Sequence, residues 1–296
     1  MFECHIAVVG AQGNLEASAS DAVVPWWSFT KTLIAVAALR LAERGALALD
    51  ERLEGRPYTP RQLLQHRAGV GDYGGLRDYS DAVARGEAPW PESALLARVP
   101  PEELRFAPAA GWAYSNVGYL LLRRLIEARY GAGLKAALRE LVLLPLGIES
   151  ADLAETVDDM NASAFAGNHG YHPGWVYHGT LMGSTREAAL ALHRIMTGGL
   201  LAPASRAALL DRYMIGGPLP GRPWITTGYG LGLMMGDVQG DGMAAPGFVV
   251  GHTAGGPGSV GAVYHAPELC RTAAVFTGGR DEGVAENLAV QQLFSA

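Results

Sequence analysis

The apolar residues of this chain change their period twice, and that order limits the folds open to it. The opening, "CHIAVVGAQGNLEAS", is a short apolar run, a turn signal at Gly13-Asn14 and a second short run, which predicts a strand hairpin. From about Ser28 to Glu43 the spacing becomes helical. Leu33, Ile34, Ala37, Ala38 and Leu41 predict one buried face, and Gly45 is a natural stop. Helical patterns fill the middle of the chain. "TPRQLLQ" starts with a Thr59 cap and Pro60 in the first turn, and "NVGYLLLRRLIEARYG" and "LKAALRELVLLPLG" run to glycine or proline stops. "STREAALALHRIMTGG" pairs a Ser/Thr cap with Glu187. After it the pattern turns β-rich and glycine-punctuated, as in "GFVVGHTAGGPGSVGAVYHAPEL", before a last helix, "EGVAENLAVQQLF". An α+β fold fits this order: an antiparallel sheet built from both chain termini and flanked by helices, with a mostly helical insertion. Residues 1–50 and 180–296 are expected to form the sheet domain and 51–179 the helical one.

With 296 residues, 49% of them hydrophobic, the chain can bury a sizeable core. A net charge of −6 without a basic cluster argues against a nucleic-acid partner. Two cysteines, Cys4 and Cys270, give no disulfide framework. "MFECHIAVVG" has no basic leader and only a short apolar run, and no stretch is long enough to span a bilayer. A soluble, cytoplasmic protein with no membrane partner is expected; oligomeric state is not legible.

Lysine is scarce. Only Lys31 and Lys135 occur, and the other 21 of the 23 basic residues are arginine. Arginine cannot lose its proton in a protein, whereas a buried lysine can. Lys31 stands three residues after Ser28, on the same face of the expected helix. With 12 serines and two lysines in the chain, chance gives such a spacing roughly 0.08 times. Two readings stand: a capping serine followed by a solvated lysine, or a nucleophile with its base. In the second, free N–H groups and the positive helix end disfavour a lysine cation and favour an oxyanion.

Two further segments carry polar groups beside turns. In "FAPAAGWAYSNVGYLLL", Ser115 or Asn116 can cap the following helix. Alternatively Tyr114, its pKa depressed by a nearby cation, acts as a general base and Asn116 holds the lysine or a substrate. In "VVGHTAGGPGSVGAVY" a glycine-rich hairpin carries His252, Thr253 and Gly255. Gly255 can donate an oxyanion N–H, and His252 offers a polar or titratable group.

"SFTK", "YSN" and "HTA", in this order, resemble the Ser-x-x-Lys, Tyr-x-Asn and Lys-Thr-Gly or His-x-Gly motifs of the serine β-lactamase and penicillin-binding-protein superfamily. The likeness is to its class C-like branch of esterases, D-amino-acid peptidases and amidases. "YTPRQLLQHRAGV", "LLPLGIESADL" and "HGTLMGSTREAALAL" extend it from about residue 20 to the end. The resemblance implies an active site between the two domains. It implies Ser28 as acylated nucleophile, Lys31 as its partner and Tyr114 as general base. Asn116 would contact substrate or Lys31, Ser28 and Gly255 would supply oxyanion N–H groups, and His252 and Thr253 would face the substrate.

The sequence departs from the family where His252 replaces a lysine and Ala254 a glycine. A histidine that is mostly neutral at pH 7 recognises a substrate carboxylate poorly, which favours an esterase or amidase over a lactamase. Ala254 is expected to narrow the oxyanion loop. His66 is expected to be structural. His169, His172 and His178 lack the spacing of a metal site, and no metal or cofactor is expected. Tyr73, Trp112, Tyr171, Trp175 and Tyr177 can be pocket or core, and Asp72 is a candidate substrate contact. The expected function is hydrolysis of a small ester or amide through an acyl-enzyme on Ser28. The alternatives are a D-amino-acid peptidase or amidase, a weak β-lactamase, a module acylated without turnover, and a silent scaffold.

Overall fold

A computed structural model describes residues 3–16 and 18–294. Its main sheet is seven-stranded and antiparallel, in the order β1 (Cys4–Val9), β10 (Arg271–Gly278), β9 (Ser259–Ala266), β8 (Gly247–Gly256), β7 (Met234–Val238), β6 (Thr227–Tyr229) and β5 (Tyr213–Gly216). The first strand thus lies beside the last, so the two ends of the chain close one sheet. A small sheet joins β2 (Val23–Pro25), β4 (Leu181–Ser184) and β3 (Asp152–Leu153). Between β2 and β4 the regular elements are helices, from Thr30–Glu43 to Val157–Asn161 and on to the short turn Pro173–Trp175, joined by long loops, with β3 the one strand.

Side chains alternate across a strand, and both faces of the sheet are covered. Ala274 and Phe276 of β10 join one apolar core with Ala188, Ala189 and Leu192 of the helix Thr185–Thr197. Ala273 and Val275 join a second core with Ala285, Ala289 and Val290 of the helix Glu282–Phe294. This explains why the C-terminal strands read as nearly unbroken apolar runs. The opening hairpin is shorter than its sequence suggests: β1 is followed by a tight turn and a single bridge, Val9 to Leu15.

The helix Thr30–Glu43 differs more from expectation. It is buried on all sides rather than along one face: every residue from Val24 to Leu39 is buried except Ser28. The helices Asn116–Tyr130, Leu134–Leu138 and Pro203–Leu209 pack around it. Its polar start survives burial because each group has a partner. Thr30 Oγ1 accepts from the Leu181 N–H at 2.9 Å, and Thr32 Oγ1 donates to the Gly232 carbonyl at 2.7 Å. Gly232 has φ +71°, and a Cβ there would lie 2.7 Å from the Lys31 carbonyl oxygen, so the loop meets the helix only as glycine.

One buried ion cluster ties the C-terminal helix to the sheet. Glu286, fully buried, accepts from Arg222, from Trp224 Nε1 at 2.8 Å and from the Tyr264 hydroxyl. Breaking a buried pair by removing one partner costs about 3–5 kcal/mol. Glu286→Ala is therefore expected to lower the denaturation free energy by about that amount, whereas Glu51→Ala on the surface should leave it within about 0.5 kcal/mol. Urea titrations followed by fluorescence measure both.

Candidate active site

The turn that carries Ser28 is a single 3₁₀ turn, Trp27–Phe29, between β2 and the buried helix. Trp27 has φ +39°, a left-handed conformation uncommon for a bulky residue. Its surroundings hold it there. The indole packs on Gly256, where a Cβ would lie 2.5 Å from the ring, and Trp27 Nε1 donates to Ser259 Oγ at 3.0 Å. Ser259 Oγ in turn donates to Asn168 Oδ1 at 3.2 Å, and Asn168 Nδ2 donates to the Pro257 carbonyl at 2.6 Å. The tip of the β8–β9 hairpin is thereby pinned to the turn holding Ser28, with Gly255 next to it.

Lys31 lies one helical turn further on and is fully buried, which removes the reading of a solvated lysine. Its Nζ donates to Asn116 Oδ1 at 2.8 Å, lies 3.3 Å from Ser28 Oγ and 2.9 Å from His178 Nε2. All three partners are uncharged. Desolvation pushes the Lys31 pKa well below that of an ordinary lysine, against a smaller opposing pull from the Asp72 carboxylate. A neutral amine next to a serine hydroxyl can take its proton.

Tyr114 meets Ser28 directly: its hydroxyl donates to Ser28 Oγ at 2.9 Å. The expected depression of its pKa is not found. Desolvation raises it, and the hydrogen bond to Ser28 only partly offsets this. The Asp72 and Glu282 carboxylates push the same way as burial. Lys31 Nζ sits over the ring, 4.9 Å from the centroid. At rest Tyr114 is a phenol, suited to donate a proton, and Lys31 is the better base.

Asn116 and Ser115 divide the work the sequence left open between them. Ser115 caps the helix Asn116–Tyr130, its Oγ accepting from the Gly118 N–H at 2.9 Å. Asn116, freed from capping, turns its amide to Lys31. Asp72 fixes that orientation, accepting from the Asn116 N–H at 2.7 Å and facing its Nδ2 at 3.5 Å. Asp72 is thus a support for Asn116 rather than a lining residue of the cleft. His66 is structural as expected: its Nδ1 accepts from the Ser115 N–H at 3.1 Å, and its ring lies 4.3 Å from that of Tyr114.

A cleft of about 440 Å³ opens over Ser28. Trp112, Tyr114, Asn116, His252, Thr253 and Gly255 help to line it together with Ser28, and Lys31 lies beneath. His252 is almost wholly buried. It bonds Tyr229 through Nε2 at 2.8 Å and the Thr253 carbonyl through Nδ1 at 2.7 Å. Burial and the Lys31 charge push its pKa down to about 3, so it carries no charge at neutral pH. Ala254 does not narrow the cleft, because it is fully buried in the core. Arg222 and Glu282 pair at 3.2 Å along the far wall, and Glu282 presses on Gly255, where a Cβ would lie 2.5 Å from its Oε1.

From sequence His178 reads only as one of three histidines clustered in "GNHGYHPGWVYHG", not as part of this site. The three go separate ways: His169 Nε2 meets the Ser163 carbonyl at 2.9 Å, His172 Nδ1 accepts from the Gly174 N–H at 3.0 Å, and His178 turns to Lys31. Among the described residues no group of three His, Cys, Asp or Glu side chains is placed to hold a metal. Of the aromatics, Trp112 lines the cleft, Tyr73 and Tyr171 line a smaller recess behind Ser28, and Trp175 and Tyr177 are core. No helix of the described residues is long and apolar enough to cross a membrane.

The chain is also similar to known proteins. A family profile described as Beta-lactamase matches residues 8–293. Esterase EstB of Burkholderia gladioli is 34% identical over 143 residues, 41% of this chain and 36% of that one. A D-aminopeptidase of Brucella anthropi is 32% identical over 109 residues, 36% of this chain and 20% of that one. The matched segments therefore span about a third or less of these two curated relatives. A D-stereospecific amidohydrolase from a Streptomyces species superposes with a TM-score of 0.77 at 20% identity, covering 99% of this chain and 93% of that one, and so shares the fold.

The protonation states give a direct test through the rate at which a fluorophosphonate labels Ser28. That rate should rise with pH through one ionisation lying below the ordinary lysine range, because only the neutral amine accepts a proton. His252, already neutral, should add no second limb between about pH 5 and 9. Lys31→Arg keeps the charge but not the ionisation, and is expected to slow labelling by about 10²–10⁴-fold. Mass spectrometry of the adduct measures both.

Proposed function

Because the chain belongs to the beta-lactamase family, we propose that it is a serine hydrolase cleaving small esters or amides through an acyl-enzyme on Ser28. The observation that carries this reading is the buried Lys31 amine, 3.3 Å from Ser28 Oγ and surrounded by neutral partners, beneath an open cleft. Lys31 takes the serine proton as Oγ bonds the substrate carbonyl carbon. The N–H groups of Ser28 and Gly255 receive the oxyanion. Tyr114 protonates the leaving group as the carbonyl re-forms, and Lys31 returns a proton to the phenol. Water then attacks the ester by the same route, releasing the acid and restoring Ser28. Neither a metal nor a cofactor takes part in these steps.

Ester substrates are favoured over lactams bearing a carboxylate. His252 is neutral, and the one cation lining the cleft among the described residues, Arg222, is bonded to both Glu282 and Glu286. A second reading, as a D-amino-acid peptidase or amidase, draws on Glu282. Its carboxylate lines the cleft beside Gly255, where it can accept a substrate ammonium.

The test compares turnover of p-nitrophenyl acetate, a D-aminoacyl amide and nitrocefin by the wild type and by Ser28→Ala. Hydrolysis of the ester that Ser28→Ala loses by about 10³-fold or more is expected. Retained activity in that variant overturns the assignment. Faster turnover of the D-aminoacyl amide selects the second reading. A burst of one equivalent without turnover would instead identify a module that is acylated but does not hydrolyse.

A further inference from the structure

His178 occupies a position that the sequence motifs leave unassigned. It lies just before β4, and β4 pairs with β2, which leads into the Ser28 turn. That pairing carries the imidazole to a lysine 147 residues away. His178 is 2% exposed and borders the small recess behind Ser28 rather than the main cleft.

An ammonium has three N–H donors. Lys31 finds three acceptors: Asn116 Oδ1 at 2.8 Å, Ser28 Oγ at 3.3 Å and His178 Nε2 at 2.9 Å. A carboxylate in the third place would raise the proton affinity of the lysine and keep it charged, and idle as a base, to higher pH. Solvent there would keep the amine charged, and an apolar side chain would leave the transient ammonium short of a partner and the amine free to turn from Ser28. We propose that His178 is a positioning residue for Lys31: a neutral acceptor that holds the amine against Ser28 and satisfies its third N–H without fixing its charge. This deepens the hydrolase reading and rests on it.

The surroundings keep the imidazole neutral. Among the described residues its buried Nδ1 has no hydrogen-bond partner, so none of their carboxylates holds a second proton there. The titratable and charged groups that act on it are Lys31, His252, Arg123 and His66, in addition to the Tyr119 ring at 6.3 Å, and each of the four lowers its proton affinity alongside desolvation. Around Lys31 the facing groups are Ser28, Asn116, His178 and the rings of Tyr114 and Tyr119, with the Asp72 carboxylate, behind Asn116, the one anion felt there among the described residues.

The test uses the full chain and three variants, His178→Leu, His178→Gln and His178→Glu, with p-nitrophenyl acetate turnover followed across pH. His178→Leu is expected to lower kcat by about tenfold or more with KM changed less than about threefold, since His178 acts through Lys31. His178→Gln, which keeps a neutral acceptor, should recover most of the loss. His178→Glu places a carboxylate on the amine and should move the acid limb of kcat/KM upward by about one pH unit or more. Should His178→Leu not fold by circular dichroism, the His178→Glu profile alone decides. Wild-type kcat in His178→Leu, or an unmoved limb in His178→Glu, overturns the proposal while Ser28→Ala remains inactive. Full activity in Ser28→Ala, or no turnover and no fluorophosphonate labelling in the wild type, instead overturns the hydrolase reading itself.

Discussion

A primary amine sealed inside the protein, with none of the described carboxylates at bonding distance, is the constraint on which the rest of the site depends. Water would solvate Lys31 and keep it charged, and an acid would do the same by pairing. The fold avoids both. It surrounds the first turn of the helix Thr30–Glu43 with packed elements and gives Nζ three neutral partners drawn from three different segments. The nearest anion, Asp72, is kept one residue back, where it orients the Asn116 amide rather than bonding the amine. Burying a polar group without partners is costly, so these contacts are a condition of folding as well as of chemistry.

The same logic separates Lys31 from the other lysine. Lys135 is 45% exposed and bridges Asp152 and Glu155 at 3.1 and 3.3 Å, an arrangement any cation could satisfy. The neutral His252 and the tied Arg222 follow a similar rule on the cleft wall. Positive charge is either buried and lost or neutralised by a neighbouring carboxylate. A carboxylate-bearing substrate finds no free cation among the described lining residues, while a neutral acyl group meets apolar and hydrogen-bonding surface.

Much of the architecture was legible because it rests on local patterns. The Thr59 and Ser184 caps, the Gly131 stop and the change from helical spacing to glycine-broken strands mark elements that form where expected. The pairing of Ser28 with Lys31 was legible too, because three residues on a helix is a local distance. What could not be read depends on contacts far apart in sequence. The helix Thr30–Glu43 looks one-sided by hydrophobicity because Thr30, Lys31 and Thr32 interrupt the apolar run, yet distant partners allow all three inside. The Tyr114 shift was misjudged in sign because desolvation is a tertiary quantity. His178 gave no signal of its own. Only the pairing of β2 with β4 places it, and no periodicity announces that pairing.

The pinned hairpin tip has a consequence for how damage reaches the reaction. Ser28 and Gly255 belong to different elements, and their spacing is set by the Trp27 indole lying on Gly256 and bonded to Ser259. This brace is a few contacts at the end of a long hairpin, so the sheet behind it can stand without it. Loss of the indole N–H therefore arrives at the serine as an error of alignment in an otherwise intact molecule. The protein's tolerance for heat and its tolerance for imprecision are set in different places.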